Sequence, residues 1–290
     1  MDLVQRLSLT IILNLPILII ILRKKLLVWP SGVLAAGIVG VTLFIVHPAL
    51  WIILLTFFFT STKLTHFRGE RKTVTQKEFA KGGTRDAGQV LANSFGALVF
   101  SALQLIFLGF EDEMPLTGFF LAAITYFAAM AADTYATEIG ILSKYSPRLI
   151  TNPRKSVPVG TSGGVTIDGM LAGLAGSTVM AIATFVCAII FSANELILDE
   201  ILLKVAFCII ITISGFFGML LDSFLGATIQ AMNYCPKCEK FTEALLHVAC
   251  GGTPTVFRRG IQWFSNDWVN LSSGMIVASI SFVVWTFLTQ

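Results

Sequence analysis

Apolar runs close to membrane-spanning length follow one another along the whole chain. A helix needs roughly 20 mainly apolar residues to cross a bilayer, and most of these runs reach or approach that length. They cover residues 7–22, 31–47, 49–64, 88–109, 115–132, 165–193, 201–221 and 269–289. The pattern predicts an all-α, polytopic membrane protein of about eight transmembrane helices.

The division between the second and third runs is the least distinct, because residues 33–62 carry no charge. As one helix this segment would be about 45 Å long, whereas the hydrocarbon core of a bilayer is roughly 30 Å thick. We therefore expect a break at His47-Pro48, which makes the segment a helical hairpin.

Basic residues are concentrated in alternate loops, and short cytoplasmic loops collect Lys and Arg. Segments 23–25, 63–85, 144–155 and 237–259 hold eighteen of the twenty Lys and Arg residues. With eight crossings these loops share one side, so we expect cytoplasmic long loops and both termini outside. The acidic residues Glu111 to Glu113, Glu195, Asp199 and Glu200 fall on the opposite side. Merging residues 33–62 into one helix would spoil this pattern.

The composition is that of a membrane domain and gives no indication of an additional soluble domain. Hydrophobic residues make up 55% and charged residues 13% of the chain, whereas soluble domains carry about 25% charged residues. The mean hydropathy is +0.81. We expect one transmembrane domain over residues 1–290, with residues 231–268 as a cytoplasmic loop inside it. The N-terminal run lacks a small-residue cleavage site, so we interpret it as a retained helix. No nucleic-acid partner is expected, and the sequence defines no oligomeric state.

The first polar group lies where an apolar run meets acids and hydroxyls, at Asp133 to Glu138. Acids at membrane depth cost several kcal/mol unless they are paired or solvated, so they indicate function. Asp133 and Thr137 share a helix face, with Glu138 to one side. A carboxylate in this setting suits Mg²⁺. The alternative is a helix end that is solvated by its own acids.

The second group is a basic and then glycine-rich loop before the run that opens at Val165. Glycine lets the backbone approach an anion, a helix N-terminus favours negative charge, and Arg or Lys supplies the countercharge. These properties predict a phosphate site, although the spacing matches neither common nucleotide-binding loop. A plain turn is the alternative. The candidate residues are Arg154, Lys155, Ser156, Gly160, Thr161, Gly163 and Gly164.

Two further groups lie at the same predicted membrane edge. Asp222, Gly226 and Gln230 recur every fourth residue, so they form a narrow stripe on one helix face. Such a stripe packs tightly or lines a cavity, and Asp222 favours the cavity.

The fourth group combines two segments. Arg85, Gln89 and Asn93 also repeat every fourth residue. Asn266, Asp267 and Asn270 lie near the start of the last helix. Helix capping would explain either segment alone.

The loop cysteines form a separate pattern. Cys235, Cys238, His247 and Cys250 read C-x₂-C…H-x₂-C, which offers four ligands for a structural zinc ion. Reduced loop thiols in a reducing compartment are the alternative. The chain has no secreted disulfide framework, since the other two cysteines lie in apolar runs.

Together these segments resemble the integral-membrane family of phytyl-phosphate kinase. The resemblance spans about residues 80 to 275. It rests on Gly82-Gly83 through Asn93, Ala132-Asp133-Thr134 through Gly140 and Pro147-Arg148-Leu149-Ile150, Val157-Pro158 through Gly163-Gly164-Val165, Asp222-Ser223 through Gly226-Ala227, and Asn266-Asp267 through Asn270. A looser similarity to CTP-dependent polyprenol kinases and CDP-diacylglycerol synthases lies in the order of Asp133, Lys155-Ser156 and the glycine-rich turn.

The resemblance implies transfer of a phosphoryl group from a nucleoside triphosphate, with CTP a candidate, to an isoprenoid monophosphate such as phytyl or geranylgeranyl phosphate. Asp133 and Asp222 would bind Mg²⁺ beside Glu138, and Lys155, Ser156 and the Gly160–Gly164 turn would hold the donor phosphates. The residues expected to complete the polar site are Arg85, Asn93, Arg154, Gln230, Asn266, Asp267 and Asn270. We expect the protein to lie in a bacterial or archaeal cell membrane, with the site on the cytoplasmic face of that membrane.

A transporter or carrier of a lipid phosphate or other small anion is the main alternative. Transporters bind their substrates near the bilayer midplane between matching halves, whereas here the polar groups gather on one side. A structural scaffold would leave the buried acids unexplained.

Overall fold

The computed structural model describes residues 3–68, 84–107, 114–191 and 201–289. Its helices are α1 (Leu3–Arg23), α2 (Ser31–Val46), α3 (Pro48–His66), α4 (Ala87–Ala92), α5 (Phe95–Phe107), α6 (Met114–Gly140), α7 (Ile167–Ile190), α8 (Ile201–Thr228) and α9 (Asn266–Leu288). Its strands are β1 (Arg148–Leu149), β2 (Asn152–Ser156), β3 (Gly164–Val165), β4 (Met232–Cys235), β5 (Lys240–Thr242), β6 (Leu246–His247), β7 (Thr253–Pro254) and β8 (Val256–Arg259). A 3₁₀ turn covers Val248–Cys250.

The predicted hairpin break is confirmed. α2 ends at Val46 and α3 begins at Pro48, with His47 in an extended conformation between them. The Nδ1 atom of His47 accepts a hydrogen bond from the backbone N–H of Ala49 at 3.1 Å. Proline suits the first helical position because its missing N–H would have no intrahelical partner there.

Five helices in the described part of the chain are long and apolar enough to cross a membrane: α3, residues Leu116–Gly140 of α6, α7, α8 and α9. Shorter apolar helices lie at Ser8–Arg23, Ser31–Val46 and Phe95–Phe107. The protein is therefore a mostly helical membrane protein, and the count of eight crossings stays a prediction.

Helix α6 occupies the centre of the bundle. The side chains of Leu121 and Phe127 are fully buried, and α6 packs against α3, α5, α7, α8 and α9. Small residues allow this close packing, as is usual between membrane helices. A Cβ atom placed on Gly218 of α8 would lie only 2.5 Å from the Cβ of Ala129. One on Gly176 of α7 would lie 2.9 Å from the carbonyl oxygen of Ala131.

The outer helices present apolar side chains outward. Ile12 of α1, Leu202 of α8 and Phe287 of α9 are each more than 60% exposed, at 63%, 73% and 75%. In water such surfaces would be unfavourable, whereas lipid tails solvate them at little cost. The surface is that of an integral membrane protein.

The polar loops contain small antiparallel sheets, so the expectation of an all-α chain holds only for the membrane part. The loop between α6 and α7 forms a sheet in the order β2-β1-β3. The loop between α8 and α9 forms β5-β4-β8 and the pair β6-β7. These strands are two to five residues long, too short for an alternating apolar pattern to predict them.

Candidate functional site

A cavity of about 940 Å³ lies at the polar end of the bundle. It is lined by residues from each of the four polar groups predicted separately from the sequence. These include Arg85, Gln89, Asn93, Asp133, Thr137, Glu138, Gly160, Thr161, Gly163, Gly164, Asp222, Asn266, Asp267 and Asn270. The expected convergence of these segments is therefore present in the fold.

The charge of the cavity lining is strongly unbalanced. Among the described residues, the acids that line it are Asp133, Glu138, Asp222, Glu243 and Asp267, and its one base is Arg85. Carboxylates in a partly buried site repel one another unless a cation neutralises them. The lining therefore suits a ligand that brings positive charge with it.

Asp133 of α6 and Asp222 of α8 are two of these cavity-lining acids. Asp222 is 8% exposed and Asp133 is half-buried. Their negative charges repel each other, and Glu243 repels both. Ser273 of α9 donates a hydrogen bond from Oγ to Oδ2 of Asp222 at 3.1 Å.

Asn270 adds an acceptor to the same wall. Its Nδ2 donates to Oδ1 of Asn93 at 3.4 Å, and its own Oδ1 is buried with no hydrogen-bond partner among the described residues. An orphaned buried oxygen costs free energy unless a ligand or an ion contacts it. Two carboxylates beside an amide oxygen form a donor set of the kind that Mg²⁺ prefers.

Glu243 is a cavity residue that the sequence analysis missed. It follows β5 and is held by Gln230, whose Nε2 donates to Oε1 of Glu243 at 2.6 Å. Ser162 in turn donates from Oγ to Oε1 of Gln230 at 2.5 Å. Glu243 shares no helical spacing with the other acids and sits in a polar loop, so only the tertiary fold reveals it.

The glycine-rich turn lines the cavity and also packs against α8. Gly163 has φ +79°, and a Cβ atom there would lie 2.7 Å from the Cα of Ala227. One on Gly226 would lie 2.6 Å from Oγ of Ser162. Both glycines therefore permit close contact between the turn and the helix. Helix α7 begins at Ile167 rather than at the predicted Val165, with Thr166 as its N-cap.

Three predicted phosphate-binding residues lie away from the cavity. Arg154, Lys155 and Ser156 are exposed on β2 and are not among the lining residues. Strand pairing with β1 holds them there.

Gln230 also departs from its predicted position. Because α8 ends at Thr228, Gln230 does not extend the helical stripe of Asp222 and Gly226. It is 1% exposed and supports the wall from behind through its hydrogen bonds.

Arg85 precedes α4, so it does not share a helix face with Gln89 and Asn93 as predicted. Asp86 caps α4 in a capping box with Gln89, and Asn93 ends the helix. The capping interpretation is thus confirmed for this segment, although its side chains also line the cavity.

The Arg85 guanidinium lies 5.8 and 5.6 Å from the ring centroids of Phe57 and Phe58. Burial lowers the pKa of Arg85 to about 10, and the negative charge of Glu138 opposes this change. At neutral pH the side chain therefore keeps its positive charge.

The Cys/His ligands lie apart from the cavity but are brought together. The Sγ atoms of Cys235, Cys238 and Cys250 and a ring nitrogen of His247 all lie within 4.8 Å of one another. Residues this close, and of these types, could hold a metal ion.

Comparison with known proteins gives the family and several relatives. A family profile described as "Integral membrane protein DUF92" matches residues 12–278. "Protein PGR" of Arabidopsis thaliana is 32% identical over 88% of this chain and 89% of its own length. An uncharacterised membrane protein of Methanocaldococcus jannaschii is 29% identical over 76% of this chain and 82% of its own. Another, from Synechocystis, is 28% identical over 71% and 73%. No solved structure gives a significant match.

Proposed function

This chain belongs to the integral membrane protein DUF92 family, and from that premise we propose that it is a membrane-embedded, Mg²⁺-dependent kinase. The reaction is transfer of a phosphoryl group from a nucleoside triphosphate, with CTP as the preferred candidate, to an isoprenoid monophosphate such as phytyl or geranylgeranyl phosphate. The observation that carries the proposal is a cavity at the polar end of an apolar bundle, lined among the described residues by five acids and one arginine. A nucleotide arrives there as a complex with Mg²⁺, and the ion would lie between the carboxylates and the phosphates and offset charge on both.

We assign the cavity to the cytoplasmic face, with eight crossings and both termini outside. The segments that line it adjoin the basic loops that the charge pattern assigns to that side. The relatives come from a plant, an archaeon and a cyanobacterium. Because one of these relatives is a plant protein, the location of this protein in a bacterial or archaeal cell membrane stays a prediction.

Asp133 and Asp222 would hold Mg²⁺, and the orphaned Oδ1 of Asn270 would complete the wall around it. When bound, the ion would neutralise charge on the donor phosphates and hold them in line for transfer. Glu138 and Glu243 lie on the same lining and would contact it directly or through water.

The glycine-rich turn and the start of α7 would face the donor phosphates. Backbone N–H groups at the first turn of a helix have no intrahelical acceptor and favour an anion. Thr161, Gly163 and Gly164 lie on the cavity lining at this point. Because Arg154 and Lys155 are exposed on β2, we assign the donor phosphates to this backbone and reserve Arg85 for the acceptor phosphate.

The acceptor would enter where Arg85 and Asn93 line both the polar cavity and a narrow apolar cleft. That cleft is lined by apolar side chains of α1 and α3, including Leu18, Leu54 and Phe58. It encloses only about 60 Å³, so most of an isoprenoid tail would lie in the lipid beyond it. The charged Arg85 would contact the acceptor phosphate.

The transfer itself needs positioning more than proton chemistry. An oxygen of the acceptor phosphate attacks the γ-phosphorus, the bond from that phosphorus to the bridging oxygen breaks, and the nucleoside diphosphate leaves with that oxygen. The acceptor phosphate is already anionic at neutral pH, so no general base is required.

The test is turnover by the purified protein. We expect an isoprenoid diphosphate, detected by mass spectrometry, from phytyl, geranylgeranyl or farnesyl phosphate with Mg²⁺ and CTP, ATP or GTP. Asp133→Asn or Asp222→Asn should lower turnover by at least about 100-fold, because each removes a charge that acts on the metal-bound phosphates. Asp168→Asn is the matched control, since the Asp168 side chain lies in the first turn of α7, accepts a hydrogen bond from Ser143 and is not part of the cavity lining.

Two results would overturn the proposal. Full activity in both Asp133→Asn and Asp222→Asn would remove the metal assignment. No turnover with any donor, together with substrate-dependent flux in liposomes, would favour the transporter. The acidic excess of the cavity argues against a carrier of free anions, because unscreened carboxylates would repel them.

A further inference from the structure

The loop between α8 and α9 carries its ligand residues on two tight turns. Cys235 and Cys238 flank the turn that joins β4 to β5, where the N–H of Glu239 donates to the carbonyl oxygen of Cys235 at 2.9 Å. His247 precedes the 3₁₀ turn and Cys250 is its last residue, and the N–H of Gly252 donates to the carbonyl oxygen of His247 at 3.1 Å. Each turn therefore presents one C-x₂-C or H-x₂-C pair, and the two pairs face each other.

The ligand atoms have the spacing that a tetrahedral metal site requires. Zn–S bonds of about 2.3 Å and Zn–N bonds of about 2.0 Å separate a sulfur and a nitrogen ligand by roughly 3.5 Å. The Sγ of Cys238 and the Nδ1 of His247 are 3.4 Å apart. Cys235 is fully buried and His247 is 2% exposed. Buried, closed Cys₃His sites are characteristic of structural zinc.

The chemistry of the group favours a metal over a disulfide. All three thiols are free in this structure, and a disulfide would use only two of them. The side chain of Lys237 donates to the carbonyl oxygen of Cys250 at 3.1 Å. Its charge would offset part of the negative charge that three thiolates give a zinc site.

From this geometry we infer that Cys235, Cys238, Cys250 and His247 bind one Zn²⁺ ion, which fixes the loop that presents Glu243 to the cavity. The segment between the two ligand turns begins after Cys238 and ends at His247. Within it, Glu243, Ala244, Leu245 and Leu246 line the cavity. The metal would thus hold both ends of the segment that contributes these four residues to the cavity wall.

Hydrogen bonds connect the clamped segment to the rest of the wall. Asn233 of β4 donates from Nδ2 to the carbonyl oxygen of Glu243 at 3.3 Å. Thr255 donates from Oγ1 to the carbonyl oxygen of Ala244 at 2.7 Å. At the other edge of the loop, Arg259 donates from Nη2 to the carbonyl oxygen of Gly226 at 3.4 Å, where α8 ends. Loss of the metal would leave these hydrogen bonds alone to hold the segment that carries Glu243.

The first measurement is the metal content of the full chain. We expect about one zinc ion per chain in protein purified without chelators, and loss of most of it in Cys235→Ser and Cys238→Ser. Cys187→Ser and Cys208→Ser are matched controls, because those cysteines lie in α7 and α8 away from the cluster. Wild-type protein without zinc, or Cys235→Ser protein with a full complement, would overturn the inference.

A second measurement tests the inference even if the cysteine variants fail to fold. Exchange of the metal for Co²⁺ in the wild-type protein should give the thiolate-to-cobalt absorption of a tetrahedral sulfur-rich site. An octahedral cobalt spectrum would instead indicate a surface site. An intact mass lower by two hydrogen atoms would indicate that two of the thiols form a disulfide. Either result would overturn the inference.

The link to Glu243 rests on the proposed function and is tested separately. Removal of zinc and the Glu243→Gln substitution should lower turnover in the same assay, and zinc removal should add little in the Glu243→Gln background. Equal effects of zinc removal in both backgrounds would overturn the link. Absence of turnover in zinc-replete wild-type protein would count against the kinase and leave the metal content unaffected.

Discussion

Single glycines decide how closely the polar segments approach one another. Gly163 and Gly252 both have positive φ angles, +79° and +78°. They differ in surroundings, since a Cβ on Gly163 would overlap Ala227 whereas one on Gly252 would meet nothing within 4 Å. The pair therefore separates the cost of the backbone conformation from the cost of a steric clash.

We predict that Gly252→Ala destabilises the protein by about 1–2 kcal/mol, the cost of a left-handed conformation for a residue with a side chain. Gly163→Ala should cost about 1–3 kcal/mol more, because the turn must also move away from α8. Thermal unfolding in detergent, followed by tryptophan fluorescence, measures both. Equal losses of stability in the two variants would show that the turn does not pack on α8 as described.

At the scale of elements, the bundle is organised around α6. Glycines of α7 and α8 bring their backbones close to its small residues, so that α6 is enclosed in protein rather than exposed to lipid. Close packing of this kind, and not a hydrophobic driving force, associates helices within a membrane. It also fixes the position of Asp133 relative to Asp222.

We predict that Gly218→Ala on α8 destabilises the bundle by about 1–3 kcal/mol, because the added methyl group has no space beside Ala129. Gly37→Ala on α2 is the matched control. There a Cβ would be 3.5 Å from the nearest atom, in ordinary contact with Leu18, and alanine is the better helix former by about 1 kcal/mol.

Resistance of detergent-solubilised protein to heating would measure the difference between these variants. The packing of α8 on α6 would be contradicted if Gly218→Ala were at least as stable as the wild type while Gly37→Ala was not.

For the whole molecule, the decisive feature is that polar side chains from segments between Thr65 and Asn270 gather at one end. Helix α9 begins at the cavity with Asn266 and ends at Leu288. If α9 crosses the bilayer, the C-terminus lies on the side opposite to the cavity. The charge pattern and the fold thus make one joint prediction about topology.

In membrane vesicles of known orientation, we predict that Lys144→Cys reacts with an impermeant thiol reagent only from the cytoplasmic side, because the basic loop after α6 remains there. A tag after the C-terminus should be cleaved only from the outside. The background protein would carry Ser at all five native cysteines, and its membrane level would serve as the control. Reaction of both probes from one side would contradict the predicted crossing by α9.

Local properties of the sequence were sufficient for much of this protein. The apolar runs, the break at His47-Pro48 and the acids Asp133 and Asp222 were identified from residue type and spacing, because partition into lipid and helix capping depend on neighbouring residues. The same spacing misled at Gln230, since α8 ends at Thr228.

Only the tertiary structure decided which polar residues share the cavity. It excluded Arg154 and Lys155 through strand pairing, added Glu243 through the hydrogen bond from Gln230, and showed that Gly163 packs against Ala227. Each of these outcomes depends on contacts between separate segments of the chain, and local patterns of residue type do not reveal the packing geometry that creates them. The sequence by itself determined a helical membrane protein with acids at one edge, and the packing of α6 among its neighbours turned those acids into one site.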